Sequence, residues 1–191
     1  MGRYGLGYVL FAALCCQMVT AGCAERPEFI NVERISAVTS VAILPFEDAP
    51  GTYGSQNSGT AVCGFITSEL AKSTRFRIVE RSRLTAILNE QNLQVADLVN
   101  AETAAKVGKM LDVQAVIVGS VSQYDMDKTT VYIYVVPVVS KDYKVGATVK
   151  MIDVSNGEII YAHSASGGSG NNFTEAGKQA AARLIGPLIA S

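Results

Sequence analysis

Two unbroken apolar runs, Val41-Ala42-Ile43-Leu44-Pro45-Phe46 and Ala115-Val116-Ile117-Val118-Gly119-Ser120-Val121, stand out along the chain. A strand with no polar face suits a sheet covered on both sides. Pro45 limits pairing at the end of the first run, and Gly119 permits close backbone approach in the second. Helical periods fill the interval. Val62, Ile66 and Leu70, with Phe65 beside them, form one stripe, and Ser58 is positioned to cap that helix. The residues before it, 48–59, are rich in Gly, Ser and Asn and read as a loop. Phe76, Ile78 and Val79 form a short strand that runs into a helix over 83–91, with Leu84, Ile87, Leu88 and Gln91 inward. Asn100 caps a further helix whose face of Ala101, Ala104, Ala105, Gly108 and Leu111 is small enough for close packing.

From residue 129 the pattern becomes a meander. Residues 129–139 are apolar on both faces and predict a strand buried in the sheet. Lys141-Asp142 suits a turn, 143–154 a second strand, Ser155-Asn156-Gly157 a hairpin turn and 158–164 a third strand. The stretch 167–172 reads as a flexible glycine-rich loop. A final helix over 174–189 carries Ala176, Ala180, Leu184 and Leu188 on one stripe, interrupted at Gly186-Pro187. The fold class is therefore α/β: a single domain with a mixed β-sheet flanked by helices, its C-terminal half a β-meander plus a final helix.

The first 22 residues read as an export signal. Arg3 opens it, an apolar core from Tyr8 to Leu14 follows, and Thr20-Ala21-Gly22 precede Cys23. The apolar run is too short and too interrupted for a spanning helix, which needs ~20 residues. Thr20-Ala21-Gly22-Cys23 has the form of a lipobox, so Cys23 is the expected lipidation site; cleavage after Ala24 is the alternative. Residues 23–37 are read as a tether and 38–191 as the periplasmic domain. Removing 22 of 191 residues leaves 169, enough for one well-formed core. Only Arg3 among the charged residues is lost, so 15 cationic side chains face 17 acidic ones, and nothing in that balance favours nucleic acid. Of four cysteines only Cys63 stays free in the mature chain, which excludes an internal disulfide, and it reads as a small core residue.

Candidate chemistry is sparse. His163 is the only histidine, which removes any His-pair metal site; no spacing supports a Ser-His arrangement, and His163, in the 158–164 strand, is expected to pack or to face solvent. Asp125, Asp127 and Asp142 flank the 129–139 strand, either as a group that attracts a cation or as solvated loop carboxylates, and they lack the spacing of a calcium loop. The glycine-rich stretches lack the Gly-Lys-Ser/Thr ending of a phosphate loop. No catalytic residue, metal site or cofactor is expected. Lys72, Arg75, Arg77, Arg81 and Arg83 place five cations within twelve residues, either as a contact for an acidic neighbouring subunit or partner or as a solvated rim paired with Glu69 and Glu80.

The order and spacing of these segments resemble the CsgG family, lipoproteins of curli-type secretion. The similarity runs over roughly residues 38–165. It rests on Pro45-Phe46-Glu47 closing the first strand, on residues 76–91 and 98–121, and on Val149 through Ile159 with its Ser155-Asn156-Gly157-Glu158 turn. The resemblance implies a non-enzymatic outer-membrane lipoprotein facing the periplasm. It further implies a homo-oligomer that meets other secretion or envelope-assembly proteins and touches the membrane through its lipid. Ala24 after the cysteine agrees with outer-membrane sorting. Lipoprotein activators of cell-wall synthesis are an alternative within the class, and a periplasmic hydrolase or small-ligand-binding domain using Asp48 and Tyr53 of the 48–59 loop is an alternative outside it. The family's channel needs two apolar hairpins per subunit, and only one doubtful hairpin (129–154) is found, so this chain is not expected to line a pore alone.

Overall fold

The structure is a computed structural model in which residues 26–50 and 56–190 are described. The export segment, Cys23 and Tyr53 lie outside the described residues. The strands are β1 (Phe29–Ile30), β2 (Ser40–Ile43), β3 (Arg77–Ile78), β4 (Ala115–Ile133), β5 (Val136–Asp153) and β6 (Ile159–Ser169). The helices are α1 (Val32–Ala37), α2 (Ser58–Leu70), α3 (Arg81–Glu90), α4 (Ala101–Leu111) and α5 (Phe173–Ala190). One mixed sheet joins the strands in the order β1-β6-β5-β4-β2-β3. β2 runs parallel to both β3 and β4, and the remaining pairs are antiparallel.

The two apolar runs become the centre of this sheet because their successive side chains serve opposite cores. Val41 and Ile43 of β2 and Ile117 of β4 join Ile66 and Leu70 of α2 and Leu184 and Leu188 of α5. Ala42, Val116 and Val118 point the other way, toward Leu84 and Leu88 of α3 and Leu111 of α4. Each such Leu or Ile, fully buried, contributes roughly 1.5–3 kcal/mol. Gly119 is required where β4 crosses Phe46: a Cβ there would lie 2.4 Å from the Phe46 ring and 2.5 Å from the Thr148 carbonyl oxygen. Asn100 caps α4 as its position predicts, accepting from the backbone N–H groups of Glu102 (2.9 Å) and Thr103 (3.4 Å).

Several expectations need correction. The tether ends earlier than residue 37, because Phe29–Ile30 pairs with β6 and Ile35 of α1 is completely buried. The cap of α2 comes from Asp48 rather than Ser58. The Asp48 carboxylate accepts from the Gly59 N–H at 2.7 Å, the Asn57 N–H at 3.1 Å and the Ser58 hydroxyl at 3.4 Å. The glycine-rich stretch is ordered at its start, where Gly167 and Gly168 pair with Val145 and Lys144. Gly167 has a steric reason: a Cβ would fall 2.1 Å from the Ala176 carbonyl oxygen, so α5 rests directly on the strand backbone. Finally, α5 continues through Gly186-Pro187 to Ala190, since Leu188 stays fully buried beyond the break that proline suggests.

Candidate functional site

The largest departure from the sequence reading is also the most functional-looking feature of the molecule. β4 and β5 do not turn at Lys141-Asp142. They form one long hairpin, paired without interruption from Gln123 and Gly146 up to Ile133 and Val136, and they turn at Tyr134-Val135. β6 stops pairing at Tyr143 and Ser169, so the seven rungs above leave the body as a bare two-stranded ribbon. At ~3.4 Å per residue that ribbon projects about 25 Å. Its root is fixed by rings: Phe173 of α5 stacks on Tyr124 at 4.2 Å and meets Tyr143 edge-on at 4.9 Å.

Residues 129–139 are therefore not a buried strand. Val131, Ile133, Val136 and Val138 on one face, and Tyr132 and Val139 on the other, are all exposed. At the tip, Tyr134 is 98% and Val135 89% exposed. Tyr134 also holds φ +58°, a left-handed conformation that glycine or asparagine usually occupies in such a turn. A monomer in water gains nothing from this display, and exposed apolar patches of this kind mark contact surfaces.

Below the apolar tip comes a collar of charge. Asp127 stands opposite Asp142 on one face, and Lys128 opposite Lys141 on the other. Lys144, opposite Asp125, donates to Asp127 Oδ2 at 2.8 Å. That bond, with Asp142 and Asp125 nearby, pushes the Lys144 ammonium above the ordinary lysine range. The three carboxylates that flank the 129–139 stretch in the sequence thus share one face.

The cationic segment divides. Arg75 turns inward: its guanidinium donates to the Ile35 carbonyl at 2.7 Å and to the Leu188 carbonyl at 3.4 Å, and lies 5.0 Å from the Phe76 ring centre. Lys72 pairs with Glu69 one turn back in α2. Arg77 on the edge strand β3 and Arg81 and Arg83 at the start of α3 are exposed. Among the described residues no shared acidic partner draws the five together. Cys63 is buried, where desolvation pushes its thiol up against the opposing charge of Arg81, which keeps it neutral. It lines an apolar cleft with Ile43, Pro45, Thr67 and Leu84. Asp48 is committed to its cap. His163 is 1% exposed, and neither ring nitrogen has a hydrogen-bond partner. Among the described residues no acid or base is poised beside a nucleophile.

Comparison with known proteins follows this geometry. The family model described as "Curli production assembly/transport component CsgG" matches residues 12–186. Among solved structures, the PelC dodecamer from Paraburkholderia phytofirmans is similar with a TM-score of 0.55 at 14% identity, covering 81% of this chain and 89% of that one. Lipoprotein GNA1162 from Neisseria meningitidis gives 0.48 at 20% identity, over 70% and 85% of the two chains. The C-terminal domain of LpoB from Escherichia coli gives 0.45 at 14% identity, over 69% and 83%. No curated protein sequence matches the chain.

Proposed function

Because this chain belongs to the CsgG family, we propose that it works as a periplasm-facing outer-membrane lipoprotein, anchored through Cys23. In this reading it assembles with copies of itself into a scaffold for a curli-type secretion or cell-surface assembly system and carries out no covalent chemistry. A lipoprotein activator of cell-wall synthesis is the alternative within the same class.

The observation that carries the reading is the projecting hairpin with its uncovered apolar tip, in a fold shared with a protein solved as a dodecamer. An assembly supplies what a lone protomer lacks, which is cover for those side chains. Arg77 on the edge strand β3, with Arg81 and Arg83 at the start of α3, offers a second contact for acidic partners. The non-enzymatic part of the reading is supported by the use of Asp48 as a helix cap, which occupies the one carboxylate of the 48–59 loop.

The hairpin also argues against a pore formed by this chain alone. The uncharged stretch, 129–140, gives only about five residues per strand before the charged collar, whereas a membrane-crossing strand needs ~9–11. Anchoring is tested by feeding labelled palmitate to cells. Wild-type protein is expected to take the label and to fractionate with the outer membrane, and Cys23→Ala to lose both. Equal labelling of the two proteins would reject the anchor, and processing of Cys23→Ala after Ala24 would favour ordinary export.

A further inference from the structure

Two rungs of the hairpin are built against its own stability. Directly opposed side chains on one face of an antiparallel pair lie ~4.5–5.5 Å apart at Cβ, and like charges there repel. Asp127 opposes Asp142, and one rung further out Lys128 opposes Lys141. Lys144 relieves the acidic rung in part through its bond to Asp127. Among the described residues no hydrogen bond or ion pair ties Lys128 or Lys141 to a carboxylate.

Because side chains alternate across a strand, the two rungs face opposite ways. One face carries Asp125, Asp127 and Asp142 against the single ammonium of Lys144. The other carries Lys128 and Lys141 and no carboxylate. The two charged levels sit at nearly the same height, with apolar residues outward of both. Val131 and Ile133 lie beyond the acidic rung, and Tyr132 beyond the basic one.

We infer that the hairpins of successive copies stack face to face, the Asp127–Asp142 face of one protomer on the Lys128–Lys141 face of the next. This inference rests on the oligomeric reading above and names the surface that makes the oligomer. A ribbon set ~10 Å from its neighbour brings opposite charges to the same level and presses the two apolar tips together. Both repulsive rungs are relieved by the same contact. The contact is heterologous, since it joins two different faces, so it propagates head to tail and generates a ring when the rotation closes. A lipid surface would cover the apolar tip but would not explain why acid and base are sorted onto opposite faces.

Two reversed chains test the stacking, each used at full length in detergent. In the first, Asp127→Lys with Asp142→Lys makes both faces basic. In the second, Lys128→Asp with Lys141→Asp makes both faces acidic. All four positions are exposed, so far-UV circular dichroism should match wild type. By sedimentation, each chain alone is expected to self-associate roughly tenfold or more weakly than wild type. An equimolar mixture should recover the heavy species, with the two chains alternating. If wild type assembles and each reversed chain assembles equally well, the stacking is wrong while the oligomeric reading stands. The same holds if the mixture is no heavier than its components. If wild type remains a monomer that binds phosphatidylcholine vesicles through the tip, the bilayer is the occupant and both readings fall.

Discussion

Arg75 and Arg77 sit two residues apart in the same cationic segment, and the structure assigns them opposite roles. Arg75→Ala removes a charged donor from the Ile35 carbonyl at 2.7 Å, a longer contact to the Leu188 carbonyl, and a guanidinium 5.0 Å from the Phe76 ring. A hydrogen bond from a charged donor contributes about 1.5–3 kcal/mol, and an exposed cation–π contact about 0.5–1 kcal/mol. The Ile35 carbonyl keeps a second bond, from the Val38 N–H at 3.1 Å, so it is not orphaned by the change. The lower end of the range therefore applies, and a loss of about 2 kcal/mol is expected. Arg77 is exposed on the edge strand, so Arg77→Ala should change stability by no more than ~0.5 kcal/mol. Urea unfolding followed by circular dichroism separates them: Arg75→Ala lowers the midpoint with an unchanged slope, and Arg77→Ala leaves it in place. For a chain of this size the loss corresponds to a fall in Tm of about 4–8 °C. Equal stability of the two variants would refute the clamp and return Arg75 to the surface contact that its neighbours suggest.

Asp48→Ala should lose about 1–2 kcal/mol by uncapping α2, with Asp48→Asn recovering most of it because an acceptor oxygen remains; an Asn variant as unstable as Ala would contradict the cap. His163→Leu should raise stability by about 1 kcal/mol in the same urea assay, since both buried ring nitrogens lack partners. A large loss there would mean that the histidine has a partner in solution.

The layered body was legible in the sequence because its signals are local and redundant. Unbroken apolar strands, the Val62/Ile66/Leu70 stripe, the Asn100 cap and the Ser155-Asn156-Gly157 turn each follow from a few adjacent residues, and each holds. The hairpin escapes the local pattern for a physical reason. A chain segment that is apolar on both faces has the same composition whether it is covered by its own helices or awaits cover from outside. Its turn was hidden as well, because Tyr134-Val135 contains none of the usual turn residues while Lys141-Asp142, in mid-strand, does. One clue was available: Lys128 and Lys141 lie at equal distance from Tyr134-Val135 and bracket an uncharged stretch, as a symmetric hairpin requires. The Asp48 cap and the inward turn of Arg75 join residues 11 and 40 positions apart, beyond any local pattern.

Shortening the hairpin tests most directly whether it carries assembly. Replacing residues 129–140 by Asn-Gly closes the ribbon at the Lys128–Lys141 rung with a two-residue turn and leaves the domain below it intact. Sedimentation velocity of the detergent-extracted full-length protein should show a species heavier than a monomer for wild type. The shortened chain, with unchanged circular dichroism, should sediment as a monomer. A shortened chain that assembles like wild type would contradict the account, as would a wild-type protein that stays monomeric at every concentration with its lipid attached.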